Sequence, residues 1–397
     1  MLFVLGFVLF ALGITASVAL HECGHMWAAQ ATGMKVRRYF VGFGPKIFSF
    51  RRGETEYGVK ALPLGGFCDI AGMTALDELE PEEVDRAMYR QATWKRLIVM
   101  FAGIFMNFLL AFLLITALAM TAGLPRLTEP SPTIGALGCV PTQNADLGYG
   151  ECSGTGPAQR AGLQPGDTVT AVDGVPVGTW SEFQTATQEK AGVLTYTVDR
   201  DGSELIVEVV PERVERYRED GTVREISAVG VTLESQGPVT YGPIAAIPAS
   251  AVFTADLAVR TAQSLVQLPQ KVGALWEAVS GGERDADTPV SVYGASRLGG
   301  ESFAAGMWGW FILLLASLNF FLGVFNLLPL LPLDGGHIAV VIYEKLRNTI
   351  RGFRGLPPHG PVDYLKLLPI TYVAVVLGGA YMLLTLAADI VNPIKLF

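Results

Sequence analysis

Four stretches of the chain are apolar for long enough to cross a membrane. They cover about residues 2–29, 97–122, 304–333 and 367–391, and each exceeds the ~20 apolar residues that span a hydrocarbon core. From Pro130 to about Glu234, short β-like runs alternate with Gly, Pro and Asp turns. The pattern predicts a polytopic α-helical membrane protein with four transmembrane helices and one small α/β domain.

The distribution of basic residues predicts how the four spans are oriented. Eleven Lys and Arg residues lie in the loop 31–96 and five in the loop 334–366, whereas none precedes Lys35 and only Lys395 follows the last span. Because positive charge favours the cytoplasmic side, both termini and the segment 123–303 are expected outside a bacterial cytoplasmic membrane.

The expected organisation has eight parts. They are transmembrane helix 1 (1–30), a cytoplasmic or membrane-associated β region (31–96), transmembrane helix 2 (97–122), the extracytoplasmic domain (130–234), an amphipathic connector on the outer face (235–303), transmembrane helix 3 (304–333), a cytoplasmic loop (334–366) and transmembrane helix 4 (367–391). The connector has apolar residues at helical spacing and few charges. A solvent-exposed linker without a coupling role is the alternative for that part.

Composition agrees with a membrane protein that has soluble parts. Half of the 397 residues are hydrophobic and 17% are charged, below the ~25% typical of soluble domains. A formal net charge of -8 and a pI near 5.2 provide no basic surface for nucleic acid, so nucleic-acid partners are excluded.

The first span carries a cluster that predicts metal chemistry. His21-Glu22-Cys23-Gly24-His25 places two imidazoles at i and i+4 on one helix face, where both can bind Zn²⁺, while Glu22 can deprotonate a water. A chance match is the alternative, but no other charged residue occurs between Met1 and Leu20. A signal peptide is disfavoured because the tract lacks a basic start and a cleavage site.

A catalytic zinc site needs a third protein ligand. The third span ends in the sequence NLLPLLPLDGGH, residues 326–337, whose prolines interrupt a helix near the membrane. Asp334 is the expected third ligand because both clusters lie at the cytoplasmic ends of their spans. His337, three residues further into the loop, is the competing candidate.

HExxH in a first span, NxxPxxPLDGG in a late span and an intervening β-rich domain together resemble the site-2 protease family of intramembrane zinc metalloproteases, closest to actinobacterial relatives of the regulator-of-sigma-E protease. The resemblance implies zinc ligands at His21, His25 and Asp334 and a general base at Glu22. It also implies that Asn326 contacts the substrate backbone or the developing oxyanion. Phe101-Ala102-Gly103-Ile104-Phe105-Met106-Asn107 resembles the family's FAGPxxN stretch with Ile104 for proline, and Asn107 is interpreted as helix-packing or cavity-lining.

Two other segments resemble parts of that family. Residues 156–177 resemble the characteristic stretch of bacterial PDZ domains, and another β-rich domain with a PGD turn is the alternative. Val36 to Phe50 and Thr55 to Leu62 are expected to be strands joined at Arg52-Gly53. By resemblance they form membrane-associated β structure beside the zinc, where a free edge holds an unwound substrate; an ordinary cytoplasmic hairpin is the alternative.

Cysteine usage divides by compartment. Cys139 and Cys152 both lie in the extracytoplasmic domain and flank a segment poor in apolar residues. Because that compartment permits disulfides, we predict a Cys139–Cys152 bond, with two free thiols as the alternative. Cys23 and Cys68 lie on the reducing side and are expected to stay free.

The function expected from these observations is zinc-dependent endopeptidase cleavage of single-span membrane proteins within or near the lipid bilayer. By resemblance, the substrates are anti-sigma factors already trimmed outside, in regulated intramembrane proteolysis, and the PDZ-like domain filters substrates by size or reads the trimmed peptide end. The alternatives are a metal-binding membrane protein without catalysis, such as a transporter or sensor, and a PDZ-based peptide-binding scaffold.

Overall fold

The computed structural model describes residues 1–126, 129–144, 148–217, 222–234, 237–285 and 287–394. The chain divides into two compact units. One comprises Met1–Leu124 and Thr240–Phe397, and the other comprises Pro125–Val239.

The first part of the chain is two long helices separated by a hairpin. Helix α1 spans Leu2–Ala31, strand β1 Val36–Arg52, strand β2 Thr55–Ile70 and helix α2 Thr93–Thr121. Both helices are apolar on all sides and satisfy their backbone hydrogen bonds internally, as a membrane requires. α1 ends just before Gly33, whose φ of 84° is the conformation that glycine adopts after a helix C-terminus.

The hairpin is bent, so that it forms four paired segments. Residues 38–41 of β1 pair on one side with residues 56–59 and on the other with residues 66–69. β2 therefore runs to Ile70, beyond the predicted end at Leu62. Among the described residues, 66–69 pair only with β1, so their outer edge, called the free edge below, has no neighbouring strand.

The second unit is built from short strands around one apolar core. Its elements are β3 (Ile134–Leu137), α3 (Pro157–Arg160), β4 (Thr168–Val172), β5 (Val175–Pro176), α4 (Trp180–Gln188), β6 (Leu194–Arg200), β7 (Ser203–Val209), β8 (Glu212–Tyr217), β9 (Val223–Ala228) and β10 (Val231–Leu233). One sheet has the order β5-β4-β6-β7, while β10 pairs with β3 and β8 with β9.

Local sequence explains much of this unit. Thr179 and Glu182 form a capping box that starts α4, and alternate residues of β6 are buried with Phe183 in the core. Cys139 and Cys152 form a disulfide bond. The buried Asp167 carboxylate accepts hydrogen bonds from the Arg200 guanidinium at 2.6 and 2.8 Å.

The remainder of the chain is helical. Helix α5 spans Pro243–Gln267, α6 Val272–Val279, α7 Val292–Ala304, α8 Trp308–Asn326, α9 Asp334–Phe353 and α10 Leu368–Val391. α7 packs on α1, and both α8 and α9 pack on α2.

The four predicted spans all fall on long apolar helices, but the described residues contain five such helices. The fifth is Pro243–Gln267, within the expected connector. The third span is also shorter than 304–333: Gly306 with φ 74° separates α7 from α8, and α8 ends at Asn326, ahead of the prolines that cannot continue it. The segment 334–366, expected to be a loop, begins with the 20-residue amphipathic helix α9.

Candidate metal centre

Three side chains from two ends of the sequence meet at the cytoplasmic ends predicted for the spans. His21 and His25 lie one turn apart on α1, and Asp334 is the first residue of α9. Asp334 Oδ2 is 3.1 Å from His21 Nε2 and 3.2 Å from His25 Nε2. The two Nε2 atoms are 3.1 Å apart. This is the one His/Cys/Asp/Glu group with metal-ligand geometry in the described part of the chain.

The arrangement fits a metal ion better than it fits a hydrogen-bonded cluster. Asp334 Oδ2 is buried and, within the described structure, has no hydrogen bond of acceptable geometry although two imidazoles face it. Ligands at ~2.0–2.1 Å around a tetrahedral zinc ion lie about 3.3 Å from one another, close to the separations observed. Two histidines and one carboxylate are also a known donor set for catalytic zinc. The residues present therefore fit zinc.

Helix α2 shapes the space behind His25. The backbone oxygen of Val99 accepts a 2.7 Å hydrogen bond from His25 Nδ1, which fixes the tautomer that leaves Nε2 free for a metal. A Cβ on Gly103 would lie 2.2 Å from His25 Nε2, and a Cβ on Gly24 would lie 2.4 Å from the Ala102 oxygen. These two glycines allow α1 and α2 to approach closely and leave room for the imidazole.

His21 contacts the same helix through a side chain. Asn107, on α2, is 2% exposed, and its Nδ2 is 3.1 Å from His21 Nδ1. The sequence predicts helix packing or cavity lining for Asn107 and does not connect this residue with a ligand. An unusually polar residue in an apolar span was the signal available.

Glu22 points toward the hairpin. Its carboxylate lies within interaction range of the backbone N–H of Cys68 in β2, and a Cβ on Gly66 would be 3.4 Å from Glu22 Cγ. The free edge of residues 66–69 therefore lies beside the glutamate that follows the first histidine. Cys23 also reaches the hairpin, with Sγ 3.2 Å from the Tyr39 hydroxyl oxygen.

The DGG sequence explains how Asp334 is placed. A Cβ on Gly335 would lie 2.3 Å from the Leu328 oxygen, and one on Gly336 would lie 2.6 Å from the Leu330 carbonyl carbon, so the start of α9 packs directly on the preceding loop. Further along α9, the buried Glu344 forms a 2.6 Å ion pair with Arg96 of α2. α9 is thus fixed to the helix that also supports both histidines.

Two predicted candidates occupy other positions. Asn326 ends α8 and donates a 3.1 Å hydrogen bond to the Leu322 oxygen of its own helix. His337 Nδ1 is 3.2 Å from the Tyr364 hydroxyl, and His337 is not part of the His21, His25 and Asp334 group.

Comparison with known proteins gives matches over the whole chain. The family model described as "Peptidase family M50" matches residues 9–355. The zinc metalloprotease Rip1 of Mycobacterium bovis is 53% identical, and that of Mycolicibacterium smegmatis is 51% identical, with all of both chains covered in each case. The zinc metalloprotease RasP of Oceanobacillus iheyensis is 26% identical over 86% of this chain and 91% of its own.

Proposed function

This chain belongs to peptidase family M50, the site-2 protease family of membrane zinc metalloproteases, and from that premise we propose how its residues carry out intramembrane peptide hydrolysis. His21, His25 and Asp334 hold the zinc ion, and Glu22 is the general base. The observation that carries this assignment is that ligand atoms of two buried histidines and a partly buried aspartate converge, with Glu22 beside them and outside the ligand group.

The chemistry divides between the metal and the chain. A bound zinc ion supplies Lewis acidity that makes water a nucleophile near neutral pH and polarises a carbonyl. Glu22 takes a proton from the water and passes it to the leaving amine. The Cys68 backbone N–H orients the Glu22 carboxylate for both transfers.

The bent hairpin supplies a place for the substrate backbone. A transmembrane substrate keeps its amides bonded within its own helix, so cleavage requires local unwinding. The free edge of residues 66–69, next to Glu22, can hold the unwound strand by β-augmentation. Asn326 lies at the end of α8, where its side-chain amide donates to the Leu322 oxygen. When that hydrogen bond breaks, the amide can donate to the reacting carbonyl instead.

Substrates in this proposal are single-span membrane proteins, with anti-sigma factors trimmed by another protease as the class that the family resemblance favours. The alternative of a metal-binding membrane protein without catalysis loses support because the relatives that match along their whole length are named zinc metalloproteases.

The membrane arrangement that we propose has four spans and both termini outside the cytoplasmic membrane. The uneven distribution of Lys and Arg supports it. Helix α5 reaches a mean hydropathy of 1.3, against 1.9–2.6 for the other four, and contains Asp256, Arg260 and an internal proline. These features favour an interfacial position for α5.

The unit Pro125–Val239 is proposed to be a PDZ-like peptide reader. A cleft of about 310 Å³ separates α4 from residues 226–232, and the guanidinium of Arg216, which lies 5.4 Å from the Tyr149 ring, borders it. Aromatic, aliphatic and polar side chains line the cleft, with Arg216 as the one cation among the described residues that line it. Such a cleft suits a peptide end that carries a carboxylate.

A cleavage assay on purified protein tests the catalytic assignment. Glu22→Gln should abolish cleavage while zinc stays near one per chain, because the side chain activates water and binds no metal. His21→Ala, His25→Ala and Asp334→Ala should each lose both zinc and activity. Loss of zinc from Glu22→Gln contradicts the role of Glu22, and loss of zinc from His337→Ala but not Asp334→Ala contradicts the third ligand.

Substitutions at two adjacent positions on α4 test whether the unit Pro125–Val239 binds peptide ends. Gln184 lines the cleft and Thr185 does not, although both are exposed. Gln184→Trp should slow cleavage of a trimmed substrate, whereas Thr185→Trp should match the wild type. Equal cleavage by both variants argues that the unit acts by size exclusion alone.

A further inference from the structure

Asn107 has a buried side-chain amide whose nitrogen and oxygen differ in their hydrogen-bond partners. Its Nδ2 lies 3.1 Å from His21 Nδ1. Its Oδ1 has no hydrogen-bond partner within the described structure, although the residue is 2% exposed. A buried carbonyl oxygen without a partner is costly, so this feature calls for an explanation.

Zinc binding by His21 decides which end of the amide must face the imidazole. His21 presents Nε2 to Asp334 and His25, so Nε2 must carry the lone pair that a metal takes. A neutral imidazole has one N–H, which is then on Nδ1 and needs an acceptor. The NH₂ group of Asn107 is only a donor, whereas a half-turn of the amide brings Oδ1 to the same place.

The same helix already does this for the other histidine. His25 Nδ1–H donates to the Val99 backbone oxygen of α2 at 2.7 Å. Val99 and Asn107 lie eight residues apart on α2, and α2 packs on α1. Both imidazoles thus direct Nδ1 to α2 and Nε2 to the ligand group. For His25 the partner is main chain, while for His21 it is a side chain that can be replaced.

We propose that Asn107 is a positioning residue of the zinc centre, with its amide oxygen accepting the Nδ1–H of His21 when the metal is bound. The proposal rests on the zinc ligands assigned above. It acts on metal affinity through the tautomer and ring orientation of His21, and Asn107 itself touches neither metal nor substrate.

Three variants of the full-length protein test this by competition for Zn²⁺ against a chromophoric chelator. Asn107→Leu keeps the branched outline of the side chain and removes the acceptor, so zinc affinity should fall roughly 10–100-fold. Asn107→Asp keeps an acceptor and should bind zinc within about threefold of the wild type or more tightly. Asn319→Leu is the matched control, because Asn319 is a fully buried asparagine that hydrogen-bonds Ser17 of α1 but contacts no ligand; its zinc affinity should not change.

Cobalt substitution provides a second measurement that does not depend on activity. At saturating Co²⁺, the visible absorption bands of Asn107→Leu should shift from those of the wild type, because the His21 ring is no longer held, while Asn107→Asp and Asn319→Leu should retain them. Wild-type affinity and spectrum in Asn107→Leu overturn the proposal, as does equal loss in Asn107→Leu and Asn107→Asp. Full zinc occupancy in His21→Ala would instead overturn the ligand assignment.

Discussion

The metal centre and the unit Pro125–Val239 are held together in different ways. The centre joins residues far apart in sequence, such as His21, Asn107 and Asp334, through helices that touch at glycines. The unit joins nearby residues, such as Cys139 with Cys152 and Asp167 with Arg200, around one apolar core. A single added atom should therefore weaken metal binding at the centre. In the unit, each interaction that is removed should lower stability by its own amount.

Gly103→Ala should have the largest effect on metal binding and cleavage, because it adds one carbon where the His25 ring lies. The ring must move, so zinc affinity and cleavage should both fall by about 10–100-fold or more. Metal analysis and a cleavage assay measure this. Gly379→Ala is the control, since nothing lies within 4 Å of its added carbon. Wild-type zinc affinity and cleavage activity in Gly103→Ala would show that the His25 ring does not need the space at Gly103.

Breaking the Arg96–Glu344 pair should come next. Arg96→Met leaves Glu344 buried without its charged partner, which typically costs about 3–5 kcal/mol. It also loosens α9, whose first residue is Asp334, so zinc content should fall too. In detergent, the double variant Arg96→Met, Glu344→Leu should unfold at a higher temperature than either single variant. A double variant less stable than both would show that the charges themselves are required.

Removing the disulfide should affect the other region only. Replacing Cys139 and Cys152 by serine removes the cross-link that closes a loop of sequence separation 13. In the chain-entropy model, such a cross-link stabilises the folded state by about 3 kcal/mol. Amide exchange in β4 and β6 of the full-length protein should accelerate by roughly 10²-fold. Zinc content should not change; if it fell, the two regions would not be as independent as proposed.

The Asp167–Arg200 pair should give the smallest effect, one that depends on pH. Hydrogen bonds from Arg200 lower the pKa of Asp167 below its usual value. A carboxyl with a lowered pKa contributes stability above its unfolded pKa of about 3.9 and loses it as the pH falls further. The difference in unfolding temperature between wild type and Asp167→Asn should be full at pH 7 and shrink below about pH 4. A difference that grew on acidification would reverse the assigned sign.

The features that the sequence predicted best are those that depend on a single segment of the chain. Two imidazoles at i and i+4 on an apolar helix define a metal face without further information, and the structure places His21 and His25 there. The prolines and glycines of residues 326–337 likewise predict an interruption, and α8 ends at Asn326. The strand end predicted at Leu62 was wrong because it depends on pairing with residues 38–41. Helix α9 within the segment 334–366 was not predicted because it depends on an amphipathic face packed on α2.

By itself, the sequence predicted the chemistry proposed for this protein, namely the donor set and the base beside it, together with the apolar spans and the cysteine pair. The histidine pair, the spans and the cysteine pair depend on local spacing or composition, and Asp334 was predicted from its own motif and the expected topology of the spans. Only the tertiary structure decided which residues support that chemistry. Asn107, Gly103 and the Cys68 backbone N–H lie beside His21, His25 and Glu22 through contacts across helices and strands. Such contacts depend on how closely the elements approach, which residue order alone does not specify.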